Sequence, residues 1–140
     1  MMRKNSGFTV IELMVTIAIV AILAGLAVPG FVGWLPNYRL RSGAEEIQST
    51  LQLARIRAIK QNATATVSFD MANETYQASV DGQAFQSGRM PAGVVIDSVS
   101  GTAEFGTRGF AASPVDIRLK NSLGKSKTIT VKLTGNSRID

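Results

Sequence analysis

Residues 13–35 read LMVTIAIVAILAGLAVPGFVGWL without a charge, and this run constrains the chain more than any other feature. At about 1.5 Å per residue, a helix through it could cover a hydrocarbon core of about 30 Å. The competing reading is a buried core helix. The rest of the 140-residue chain offers too little apolar material to wrap such a helix on all sides. The plan that fits is one membrane segment, one helical stem and one small head domain.

An acid stands at the start of this run. An ionised carboxylate in lipid costs a few kcal/mol, so such residues usually have a partner. Glu12 has no cation between Lys4 and Arg39 to pair with. Its partner must come from outside the segment or from a new chain terminus. A cut ahead of Phe8 would create a free amine one helical turn before Glu12, to be met in the same chain or in a neighbour. Residues 1–7, MMRKNSG, are short and basic, as the start of a secretory signal would be. Such a signal is removed after its apolar core. Here the apolar stretch is too long for that core, and Glu12 sits near its beginning.

The segment GFTVIELMVTIAIVAILAGLAVP resembles the class III signal of type IV pilins and type II secretion pseudopilins. Gly7, Phe8, Thr9, Val10, Ile11, Glu12 and Leu13 match the family pattern in order. The resemblance implies cleavage after Gly7 by a prepilin peptidase and N-methylation of Phe8. It also implies that Glu12 neutralises the amine of an adjacent subunit during assembly with other pilins or pseudopilins. The implied location is the bacterial inner membrane, crossed once, with the head in the periplasm and the subunit available to a filament. The leader departs from the commonest pattern at Ser6, where many relatives have a basic residue.

Beyond the membrane segment, Gly25, Pro29, Gly30, Gly33 and Pro36 interrupt the apolar run. Proline removes a backbone donor and clashes with the preceding turn, and glycine weakens a helix further. A helix break centred on Pro29, either a kink or a melted stretch within 25–36, is the expectation. Residues 37–62 then resume a helical pattern. Leu40, Ala44, Ile47, Leu51, Ala54 and Ala58 fall on one face, which a curved sheet in the head would cover. Arg55, Arg57 and Lys60 lie in the last turns, where cations suit the helix dipole.

After Asn62 the period changes to that of strands. Ala63–Phe69, Thr75–Val80, Gln83–Gln86, Val94–Val99, Ala103–Phe105, Val115–Lys120 and Lys127–Thr134 are the candidates, with Asp81-Gly82 as a hairpin turn. In the final pair Val115, Ile117, Leu119, Ile129, Val131 and Leu133 are expected inward, and Asp116, Arg118 and Lys120 outward. The expected fold is α+β: a long N-terminal helix, membrane half plus stem half, on an antiparallel sheet. Its divisions are a leader over 1–7, a transmembrane and assembly segment over 8–36, a stem over 37–62 and a β-rich head over 63–140.

The stretch LQLARIRAIKQNATATVSF is similar to the stem-to-head junction of the GspH/FimT family of minor pilins and pseudopilins, through Leu53, Ala54, Arg55, Ala58, Ile59, Asn62 and Val67. Phe105-Gly106-Thr107-Arg108-Gly109 resembles a later segment of that family. A minor pseudopilin of type II secretion is the function this implies, with exported proteins as further partners. A major pilin is the weaker option, since the chain has no cysteine to close the C-terminal loop common there.

No motif carries catalysis. The chain has no histidine and no cysteine, which removes disulfides, the commonest general base and most metal sites. No cofactor is implied, and scattered acids such as Asp70, Glu74, Asp97 and Asp116 read as surface solvation. The formal charge is +5, of which a cut before Phe8 would remove Arg3 and Lys4. From Phe105 onward Arg108, Arg118, Lys120, Lys125, Lys127, Lys132 and Arg138 are opposed only by Asp116 and Asp140. Arg118, Lys120, Lys125, Lys127, Lys132 and Arg138 could hold a phosphate backbone on the last hairpin, or could simply solvate a sheet face and guard its edge strand. Some FimT-type minor pilins bind DNA during uptake through a C-terminal Gly-Arg-x-Arg motif. Here the stretch reads Gly135-Asn136-Ser137-Arg138, without the first arginine, and no aromatic residue follows Phe110.

Overall fold

The computed structural model describes residues 8–140, with the side chains of 27–32 outside the described set. Gly7, on the leader side of the expected cut, lies outside it too. The helix α1 runs Val10–Gln61. It is followed by β1 (Ala65–Asp70), β2 (Thr75–Val80), β3 (Gln83–Arg89), β4 (Val94–Val99), β5 (Ala103–Phe105), β6 (Val115–Asn121), β7 (Ser126–Val131) and β8 (Ser137–Ile139). The chain divides into two compact units, Met1–Leu35 and Pro36–Asp140.

In the first unit, Thr9 caps the helix. Its hydroxyl accepts the N–H of Glu12 at 3.3 Å, and its carbonyl accepts that of Leu13 at 3.2 Å. Thr-x-x-Glu is the sequence form of a helix start, because the cap oxygen serves one of the first-turn donors that no helical carbonyl can reach. The helix is assigned without interruption through Pro29. The melted stretch expected within 25–36 is therefore absent from the backbone of the single chain. A helix can pass a proline by forgoing one hydrogen bond, at a cost of about 3 kcal/mol. Among the described residues no helix is long and apolar enough to cross a membrane. The charge-free run continues in sequence through 27–32, beyond the last side chain described on its N-terminal side, Leu26.

In the second unit, the stem stripe forms one wall of the core. Leu40 is buried at 3% exposure, and Ala44, Ile47, Leu51, Ala54 and Ala58 are fully buried. Burying each large member contributes about 1.5–3 kcal/mol. The helix stops at Asn62, which takes a left-handed φ of 48° while Ala63 N–H bonds the carbonyl of Ala58 at 3.1 Å. Asparagine tolerates that conformation, so it serves as the C-terminal cap.

The strands form two antiparallel four-stranded sheets rather than one curved sheet, in the orders β3-β2-β1-β5 and β4-β6-β7-β8. Alternation decides what faces in. Ala65 and Val67, Tyr76, Ala78 and Val80, and Ala103 and Phe105 come from the first sheet; Val94 and Ile96, Val115, Ile117 and Leu119, and Ile129 and Val131 come from the second. Asp81 and Gly82 form the β2–β3 turn with φ of 49° and 77°, as a tight hairpin requires. A bulge at Asp97 shifts the β4–β6 register, so that Val99 lies opposite inward Ile117.

The C-terminus differs from the sequence reading. β7 ends at Val131, and residues 132–136 turn back into β8, which pairs along β7 through Ile129–Ile139 and Val131–Ser137. Leu133, expected inward, sits in that turn and is exposed. Its carbonyl accepts Ala111 N–H at 3.0 Å, so the turn is fixed by backbone bonding and not by its side chain. β7 is consequently an interior strand, and lysines there guard no edge.

Candidate functional site

The first candidate surface is the apolar helix of the N-terminal unit. From Phe8 to Leu26 every side chain is exposed in the single chain, including Phe8, Ile11, Leu13, Met14, Ile19, Ile22 and Leu23. Glu12 is the one charged residue on it. Its backbone N–H is taken by Thr9, and its carbonyl accepts the hydroxyl of Thr16 at 2.7 Å. Glu12 thus stands in the first helical turn, four residues after Phe8 in sequence. The Thr9 cap was written in the sequence as Thr-x-x-Glu, a signal that the pattern of charges alone had left unread.

The second candidate is the basic end of the chain. Arg118 and Lys120 are both exposed and point outward from β6, where they pair with Thr128 and Ser126 of β7. The others do not join them. Lys127 pairs with buried Leu119, which puts it on the inward register and half-buried. Lys125 lies in the β6–β7 loop and Lys132 in the β7–β8 turn, at opposite ends of a six-residue strand, about 20 Å apart. Arg138 is bound to Asp140 at 2.9 Å, and both are exposed. Asp116 shares the outward face of β6 and accepts the Thr130 hydroxyl at 2.7 Å.

Arginines of the stem have structural work. Arg55 donates from Nε to the Gly109 carbonyl at 2.9 Å and from its terminal nitrogen to Asn136 Oδ1 at 2.8 Å. It therefore pins the 106–109 turn and the 132–136 turn to the helix. Arg57 lies over the Phe85 ring, 4.2 Å from its centre. Gln48 donates to the Ser137 carbonyl at 3.0 Å, fastening β8 to the stem. Under the first sheet, buried Tyr76 donates to the Glu46 carboxylate, while Gln86 donates to the buried Thr50 hydroxyl at 3.0 Å. Burial, followed by the bond to Glu46, raises the Tyr76 hydroxyl above its usual pKa.

The acids serve turns and sheets as well. Asp70 Oδ1 accepts the N–H groups of Ala72 and Asn73, and its Oδ2 accepts the Asn73 amide. Among the described residues no group of three or more His, Cys, Asp or Glu is placed to hold a metal ion.

A capped apolar helix with one acid in its first turn, continuing into a stem on antiparallel sheets, defines the type IV pilin-like class. Residues 2–28 match the prokaryotic N-terminal methylation motif, and residues 43–135 match the family described as type II transport protein GspH. The chain belongs to this GspH family of minor pilins and pseudopilins. Among solved structures it is similar to the type IV minor pilin FimU of Pseudomonas aeruginosa, 16% identical, covering 74% of this chain and 90% of that one at a TM-score of 0.64. It is also similar to the minor pseudopilin EpsH from the type 2 secretion system of Vibrio cholerae, 13% identical, covering 73% and 96% at a TM-score of 0.61. Both likenesses concern the fold. The type IV major pilin protein PilA of Myxococcus xanthus is 41% identical over 49 residues, 35% of this chain. The match spans 20% of that relative's length.

Proposed function

We propose that this chain is a minor pseudopilin of a type II secretion machine. A prepilin peptidase cuts it after Gly7 and the new Phe8 amine is methylated. Residues 8–36 hold it in the inner membrane as a single pass, with the head in the periplasm. It then joins a filament with other pseudopilins, where the head is available to exported proteins. The observation that carries this reading is the exposed apolar helical surface from Phe8 to Leu26 with Glu12 as its one charge. Such a surface needs a cover, which lipid gives before assembly and neighbouring subunits give after it. The match over 43–135 to a family described as a type II transport protein supports secretion as the setting.

Mass spectrometry of the membrane-extracted protein tests the processing. The expected N-terminus is methylated Phe8, and a chain still starting at Met1 in a peptidase-competent cell would sink the reading. Glu12→Ala should leave cleavage intact and abolish incorporation into filaments.

A second reading is DNA capture by a minor type IV pilin. Its support is the pair Arg118 and Lys120, alternating on one exposed face. It stands second because the remaining cations of the hairpin are spread over the other face, the two ends and an ion pair.

A further inference from the structure

The chain's one tryptophan, Trp34, stands at the end of the charge-free run and is 55% exposed. The residues after it change character at once. Leu35 closes the run, and Asn37, Tyr38, Arg39 and Arg41 follow within two turns in sequence. Tryptophan and tyrosine favour the headgroup level of a bilayer, where an apolar ring meets water at its polar tip, and arginine reaches its charge outward from the same level.

The length of helix behind Trp34 is the second observation. Glu12 and Trp34 lie on one uninterrupted helix. At roughly 1.5 Å per residue they are about 33 Å apart, against a hydrocarbon core of about 30 Å. A modest tilt of about 20° lengthens the helix needed to about 32 Å. A boundary set by Trp34 therefore puts the opposite boundary within a residue or two of Glu12. Between them, at Leu13–Leu26 and on through 27–33, no charge occurs.

Resting on the reading above that residues 8–36 enter a membrane, we propose that the unassembled subunit is held at both interfaces, with Trp34 in the headgroup layer on the head side and Glu12 in the headgroup layer opposite. The partner surface is phospholipid. Glu12 then sits at the rim of the hydrocarbon and not in its middle. Its carboxylate keeps contact with water and headgroups until a neighbour's amine replaces them, so the cost of a charge at the bilayer centre does not arise. Leu23, midway between the two, marks the deepest point.

The test uses the processed full chain, starting at Phe8, in vesicles of phosphatidylcholine and phosphatidylglycerol. Trp34 is its own probe, being the single tryptophan. Lipids brominated near the headgroup end of the acyl chain should quench it more than lipids brominated near the chain terminus, and its emission should shift to the blue of its value in water. In a Trp34→Phe, Leu23→Trp chain the order should reverse. Failure of the protein to float with vesicles would overturn the membrane reading itself. Flotation with Trp34 quenched most by the deep bromine, or with water-like emission and no quenching, would overturn the placement alone. Flotation with Leu23→Trp quenched most by the shallow bromine would do the same.

Discussion

The Glu74 carboxylate accepts the backbone N–H of Ile96 at 2.6 Å, and this bond joins the two sheets of the head. Glu74 holds a left-handed φ of 54° ahead of β2, and its own carbonyl accepts Met90 N–H at 2.8 Å. Ile96 lies where the bulge interrupts the pairing of β4 with β6. Glu74→Ala leaves that N–H without its acceptor and should cost about 1–3 kcal/mol. Glu74→Gln keeps an amide oxygen in reach and should cost less. Urea unfolding of the full chain in mild detergent checks the order, and equal losses from the two variants would contradict it.

Gly135 and Gly82 have nearly the same left-handed backbone, at φ of 78° and 77°. Their surroundings differ. A Cβ at Gly82 meets nothing within 4 Å, whereas one at Gly135 runs into the Gly109 carbonyl and lies 2.8 Å from Arg55 Nε. Gly82→Ala should therefore show only the conformational cost of about 1–2 kcal/mol. Gly135→Ala should cost clearly more, because it must also displace the turn that Arg55 holds. Thermal melts of the two variants side by side isolate the packing contribution, and a smaller loss at Gly135 would refute this account of the junction.

Much of this architecture was legible in the sequence, and the misses share a cause. The stem stripe from Leu40 to Ala58 was readable because helical spacing sets which residues share a face. Thr75–Val80 and Val94–Val99 were readable from alternation and from the turns that bound them. Alternation says nothing about which strands pair across long separations, so the division into two sheets could not be read. β8 spans only Ser137–Ile139, too short to show a period. Missing it carried Leu133 into a strand it does not occupy and made β7 an edge. The basic residues were found by counting charge, but counting does not assign faces. The β6–β7 register does, and it puts Lys127 opposite Leu119, away from Arg118 and Lys120.

The turn between β1 and β2 gives the chain an acid-sensitive feature. Bonds from the Asn73 side chain, then the Asn73 and Ala72 backbone N–H groups, hold the Asp70 carboxyl below its ordinary 3.8. A carboxyl depressed in the folded state stabilises the fold above its unfolded value and loses that contribution as pH falls through the folded one. The turn should therefore tighten above about pH 4 and loosen below it. Asn73→Ala removes the largest contribution, so the Asp70 titration should move up toward the ordinary value. NMR titration of the Asp70 side-chain carboxyl carbon in both chains reads this directly, and superimposable curves would rule it out.

The arrangement of the hairpin cations makes a numerical prediction for nucleic acid. For duplex DNA, log K falls against log salt with a slope of about −0.9 for each phosphate neutralised. Six cooperating cations would give a slope near −5. Arg118 and Lys120 acting alone would give about −2. The outward face of β6 also carries Asp116, and Arg138 is already paired with Asp140. The expected result for the full chain in detergent is weak duplex binding with a slope no steeper than about −2. Arg118→Ala with Lys120→Ala should abolish it, while Lys127→Ala, on the inward register, should leave it unchanged. A slope near −5, or a large loss from Lys127→Ala, would mean that the hairpin presents its cations to DNA in an arrangement other than the one paired here.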